Sequence, residues 1–238
     1  MWPWASKSCP LDPTTRAWVD RRWRWLLDEF GDRALLDYPH VLPTPGFFPD
    51  RYDGSDTAGT ALGRRVCGYM HVPEDRVDFE FFSESNTLYL VNERGRGIGI
   101  AVGTFTSADR FIIRVERAKL REPMALVGTL AHELSHARLL GEKRIDRDCF
   151  DHELATDLNV VFHGMGIFIA NDPGYSDGHI RNWPGTEQPA PTYMTAGMLG
   201  YALALRCCQR MESLPSWRKH LLPSVRAEFK QSYRFLTQ

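Results

Sequence analysis

The chain has 238 residues, 43% of them hydrophobic and 25% charged, with 29 basic against 30 acidic side chains and a formal charge of −1. These values fit one globular domain over 1–238 with a sizeable core, and they argue against nucleic acid or a membrane surface as partner. The apolar stretches near 158–170 and 194–208 are too short or too interrupted to span a bilayer. Five cysteines (Cys9, Cys67, Cys149, Cys207, Cys208) form no C-x-x-C pair. They predict reduced thiols in a cytoplasmic protein rather than a disulfide framework or a thiolate zinc site. The N-terminal stretch lacks the basic and apolar regions of a secretory signal, which agrees with that expectation.

Residues 14–38 read as a helix with Trp18, Arg22, Trp25, Leu26 and Phe30 at helical spacing and an interruption at Gly31. Its Trp-rich face is expected in the core. Prolines and aromatics interleave through 39–56 and predict an ordered loop, followed by a helix over 57–70. Val77–Phe82 and Thr87–Val91 read as a hairpin, and Gly97–Thr104 and Arg110–Val115 as two more strands. The expected sheet has about four strands and is mostly antiparallel. Pro123 opens a helix that runs to about Leu140, where Gly141 ends it. A helix over about 151–162, a long loop over 171–191, a long helix over about 192–212 and a final helix over about 224–236 complete the chain. The predicted class is α+β, with a small sheet packed on the 123–140 helix and further helices at both ends of the chain.

Within the 123–140 helix stands His132-Glu133-Leu134-Ser135-His136. Two imidazoles four residues apart share a helix face and can chelate one zinc ion (Zn2+). Glu133, between them, is placed to take a proton from a zinc-bound water. The neighbours Leu130, Ala131, Leu134 and Leu139 are apolar, so this polar group sits in a segment that looks buried and needs a reason to be there. A catalytic zinc takes three protein ligands and keeps one position open. Glu153, 17 residues beyond His136, is the expected third ligand. Asp157, one turn later on the same face, is the carboxylate that fixes a ligand histidine's tautomer. Asp157 or His152 is the alternative third ligand.

H-E-x-x-H followed by a helical E-x-x-x-D resembles the gluzincin branch of the zincin metallopeptidases, although the gap between the two motifs is shorter here than in thermolysin. The resemblance implies a zincin-like fold, His132, His136 and Glu153 as zinc ligands, Glu133 as base and Asp157 as orienter. A wider set of stretches is similar to a group of bacterial metallopeptidase-like proteins without an established substrate: Val41–Asp50, Arg65–Met70, His132–His136, Glu153–Asn171 and Gly200–Leu205.

The expected activity is zinc-dependent hydrolysis of an amide, most simply a peptide bond in a peptide or protein substrate. An extended peptide is expected to add to a strand edge, with Gly97–Thr104 and Arg110–Val115 as candidates. Oxyanion stabilisation has four candidates in Tyr201, His179, Tyr193 and Arg181. Tyr201 and His179 are the two assigned, each against a competing structural reading as core tyrosine and surface histidine. His163 and the methionines 165, 194 and 198 read as core. Residues 171–191 are a possible lid. The alternative to an enzyme is a zinc-binding protein whose site serves folding or partner recognition.

Overall fold

The computed structural model describes residues 8–83, 102–105, 110–172 and 179–238, with backbone alone at 102–105 and 179–181. In chain order the described α-helices are α1 (Pro13–Phe30), α2 (Asp32–Asp37), α3 (Asp56–Met70), α4 (Pro123–His136), α5 (His152–Phe162), α6 (Gly166–Ala170), α7 (Ala196–Gln209) and α8 (Pro223–Leu236). The strands are β1 (Val77–Phe82), β2 (Val102–Phe105), β3 (Phe111–Glu116), β4 (His179–Asn182) and β5 (Pro189–Pro191). The class is α+β. Among the described residues no helix is long and apolar enough to cross a membrane. The chain groups into two compact units, the first made of 1–42 and 145–238, the second of 43–144.

In the second unit, Ser55 caps α3 by accepting the Ala58 N–H at 3.1 Å. Gly59 and Gly63 then face β1. A Cβ on Gly63 would lie 2.5 Å from the Phe79 ring, and one on Gly59 would lie 2.8 Å from the Phe81 ring. Bare backbone at these two positions lets α3 lie directly on the strand. The sheet runs in the order β1-β3-β2, with β1 parallel to β3 and β2 antiparallel to it. This corrects the mostly antiparallel expectation. The chain between β1 and β3 is long enough to cross over and return in the same direction, which a tight hairpin is not. The proposed partner strand Thr87–Val91, and residues 97–101 of the third strand, lie outside the described residues. Phe111, Ile113 and Val115 turn to the core while Arg110 and Arg114 pair with Asp78 and Glu80 on the other face. Those ion pairs are about half exposed and add little stability. Because β3 is central, Arg110–Val115 offers no edge for a peptide. α4 touches both α3 and β2. It is buried from Leu126 to Ser135 except at Thr129, as its nearly all-round apolar sequence requires.

In the first unit, Asp12 caps α1 by accepting the Thr14 and Thr15 N–H groups at 2.9 and 3.0 Å. Gly31, at φ 81°, separates α1 from α2, so the single 14–38 helix is two. Trp18, Val19, Trp23 and Leu26 form the buried face of α1. Arg206, fully buried on α7, donates to the Phe162 and Tyr38 carbonyls at 3.2 and 2.5 Å. Burial lowers its pKa to about 9. Gly164, at φ 86°, follows α5 and accepts from the Val41 N–H at 3.0 Å, tying the 38–42 segment to the core. α7 and α8 pack closely at Gly200, where a Cβ would meet the Phe229 nitrogen at 2.8 Å. β4 and β5 pair antiparallel, so the second half of the expected 171–191 loop is a short ribbon.

Candidate metal centre

α4 begins at Pro123, whose missing N–H costs nothing in a first turn, and no side chain caps it. Its last turn carries the histidines. The His132 and His136 rings stand perpendicular with centroids 4.7 Å apart, as one-turn spacing on a helix dictates. His132 and Glu133 are each only 8% exposed. The helix does not stop after His136 but widens into a π turn over Ala137–Gly141. Such turns are uncommon in helices and concentrate at functional sites. Arg138, inside that turn, donates to the His71 carbonyl at 2.6 Å and pairs with Glu142 at 3.0 Å. The first of these bonds ties the end of the histidine helix to the end of α3.

Glu153 lies in the first turn of α5, directly after a clamp. The Asp151 carboxylate accepts from Trp18 Nε1 at 2.6 Å and from Arg22 Nε and Nη2 at 2.6 and 2.5 Å. Burial pushes the Asp151 carboxyl up, but these donors outweigh it and the net shift is downward. The clamp fixes where α5 starts. His152 sits with Nδ1 3.1 Å from the Cys149 carbonyl oxygen and Nε2 3.1 Å from Glu153 Oε1. Asp157, fully buried one turn on, accepts the Met194 N–H at 2.9 Å.

His132, His136 and Glu153 each offer a ligand atom, these atoms all lie within 4.8 Å of one another, and the group could hold a metal ion. His152 and Asp157 do not belong to that group. Two imidazoles with a carboxylate form the donor set of open catalytic zinc sites, so the residues fit the metal their sequence suggested.

Tyr201 has a different environment from the one expected. It is buried, and its hydroxyl donates to Asp20 Oδ1 at 2.9 Å. Burial first, then the Asp20 carboxylate, pushes the phenol pKa well up. The side chain is a bonded core tyrosine of the first unit. His179 lies in β4, and Tyr193 follows β5. His163 is fully buried, donates from Nδ1 to the Asn159 carbonyl at 2.9 Å and stacks on Tyr38 in the core of the first unit. A groove of about 630 Å³ in the first unit is walled by Trp18, Phe150, Asp151 and Trp183, and Glu153 is not among its lining residues.

The Asp151 clamp and the His152 contact escaped the sequence. Asp151 meets residues 129 and 133 positions away. His152, by contrast, is adjacent to Glu153, and that adjacency was the available signal. No protein-family model, curated protein or solved structure matches the chain.

Proposed function

We propose that this chain is a zinc-dependent hydrolase of amide bonds, most simply a metallopeptidase of gluzincin-like, zincin-type architecture acting on a peptide or protein. The observation that carries this reading is the gathering of His132, His136 and Glu153 within 4.8 Å of one another. Glu133 adds weight, because a barely exposed carboxylate beside a ligand histidine needs a task. Zinc bound there supplies a Lewis acid that polarises the scissile carbonyl and makes water more acidic.

Glu133 accepts the proton from the attacking water and returns it to the leaving amine. Asp157 holds a ligand histidine in the tautomer that leaves its lone pair toward the metal. The oxyanion partner is sought at His179, Tyr193 or Arg181 rather than Tyr201, whose hydroxyl Asp20 already holds. A peptide strand adds most simply to β2, whose outer edge pairs with no described strand. The free state of the five cysteines favours a cytoplasmic setting.

The alternative reading, a zinc protein whose site serves folding or partner recognition, keeps the same ligands and drops the role of Glu133. Metal analysis tests the ligand set that both readings share, and loss of turnover in Glu133→Gln with zinc retained separates them. The purified wild type should carry one zinc per chain, and His132→Ala, His136→Ala and Glu153→Ala should each lose it. A wild type that binds no zinc after reconstitution sinks both readings. Full retention by Glu153→Ala would remove Glu153 from the ligand set.

A further inference from the structure

We infer that the groove in the first unit binds the C-terminal residue of a peptide, with an aromatic side chain against its tryptophan wall and the terminal carboxylate on Arg21. The site goes beyond the proposed hydrolysis and does not rest on it. The groove holds about 630 Å³, inside the roughly 300–1,000 Å³ range of small-ligand sites. Along α1, Thr14, Ala17, Trp18 and Arg21 line it at spacings of three and four residues, so they share one helix face. Phe150 and Trp183 complete an aromatic wall. The Trp18 and Trp183 ring centroids are 5.8 Å apart, and those of Phe150 and Trp183 are 6.1 Å apart. These are the tilted contacts that aromatic rings favour, and one more ring packs there on the same terms.

Charge selects what the ring is attached to. Two charged side chains line the groove, Arg21 and Asp151. Asp151 is already satisfied, because Trp18 and Arg22 donate to it. Arg21 is exposed and pairs with no carboxylate among the described residues. It follows Trp18 by three residues on α1, so an unpaired cation stands beside the aromatic wall. Trp183 adds a second unmet group. It is 4% exposed, yet its Nε1 has no acceptor among the described residues, a state that a buried indole N–H seldom keeps. A cation and a donor call for a ligand that brings anionic acceptor oxygens.

A C-terminal aromatic residue carries ring and carboxylate on one Cα, which suits a cation one helical turn from the aromatic wall. The groove is larger than that single residue requires. Pro13, Ala17 and Pro184 make an exposed, uncharged stretch of its lining, which takes the uncharged residues that precede the terminus. The test is calorimetric titration of the full chain with acetyl-dialanyl-phenylalanine as the free acid and as the C-terminal amide, with and without a metal chelator. Acetyl-trialanine acid, phenylacetate and acetyl-phenylalanyl-aspartyl amide are the comparison ligands. The phenylalanine acid should bind about 5-fold more tightly than its amide, near the upper end for an exposed charge pair. It should also bind more tightly than every comparison ligand, and the chelator should change nothing. Arg21→Gln should bind acid and amide alike. Ala17→Trp, which fills the groove from an exposed position, should bind neither, with melting temperatures recorded for both variants.

No binding of the acid by the wild type, equal affinity for acid and amide, or an acid preference that survives Arg21→Gln each overturns the inference. Binding retained in Ala17→Trp overturns the placement in the groove. Phenylacetate bound as tightly as the peptide acid makes this a site for small acids, and equal binding of the aspartyl amide makes it a site for an acidic side chain. Either result overturns the peptide terminus as occupant. Binding lost on chelation puts the ligand on the metal, which overturns this inference and leaves the metal reading standing. A wild type that binds the acid but no zinc leaves this site standing and removes the metal reading.

Discussion

His132 and His136 were legible because helical spacing is a local property that four residues determine. Glu153 was legible because only a short stretch follows His136 before the next helical pattern. Tyr201 was not, because its partner Asp20 is 181 positions away and nothing local in the sequence couples them. Glu133 makes the sharpest residue-level prediction. Replacing it with glutamine removes the base but none of the ligands, so turnover should fall by about 10²–10⁴-fold with zinc content unchanged, read by metal analysis beside a rate assay. His40 makes a different one. It is 8% exposed, its ring centroid lies 4.4 Å from that of Trp217, and its Nε2 stands 3.3 Å from Glu212 with Arg206 and Arg210 nearby. Burial, only partly offset by Glu212, lowers its pKa to about 4. The folded protein therefore resists protonation that the unfolded chain accepts near pH 6.5. The stabilisation is present above about pH 6.5 and is lost as pH falls toward 4, on the order of 3 kcal/mol for this one group. Urea unfolding at pH 7.5 and pH 5 should show the drop, and His40→Gln should flatten it. An equal drop in that variant would assign the acid sensitivity elsewhere.

At the scale of elements, periodicity located the longer helices, though not the short α6, because an apolar stripe every three to four residues is written in the chain itself. Strand pairing was not written there. β1 takes β3 as a parallel neighbour, and the partner of a strand depends on crossover length more than on composition. The β4–β5 ribbon was hidden for a related reason. Its strands are four and three residues long, and β5 begins and ends on proline, which reads as loop. The start of α5 depends on the Asp151 clamp. Asp151→Ala would leave the Arg22 guanidinium and the Trp18 indole N–H without their acceptor, at a cost of roughly 3 kcal/mol. The melting temperature should fall, and zinc should bind more weakly because Glu153 follows two residues later. Unchanged stability would show that packing alone holds the turn. Gly164→Ala is the companion test. Its Cβ would lie 2.0 Å from the Pro39 carbonyl oxygen at a φ of 86°, so the variant should be destabilised by about 3 kcal/mol or more in a denaturant titration.

For the whole molecule, the α+β class followed from the mixture of helical and alternating patterns. The grouping into two units did not, because the first takes both ends of the chain and the second is a continuous stretch between them. Composition changes at neither junction, so only contacts reveal the grouping. The candidate metal group reflects the same limit. Spacing supplied the pair on α4 and a short list for the third donor, and among the described residues His132, His136 and Glu153 form a group that could hold a metal ion. The central claim is that this group, with Glu133, hydrolyses amide bonds. Its most direct test is mass-spectrometric analysis of a diverse peptide library incubated with wild type and Glu133→Gln, each first shown to carry one zinc per chain. The account predicts new peptide termini with the wild type and none above background with the variant. Equal cleavage by both, or no cleavage by a zinc-loaded wild type on peptides and on a cytosolic protein extract, would contradict it.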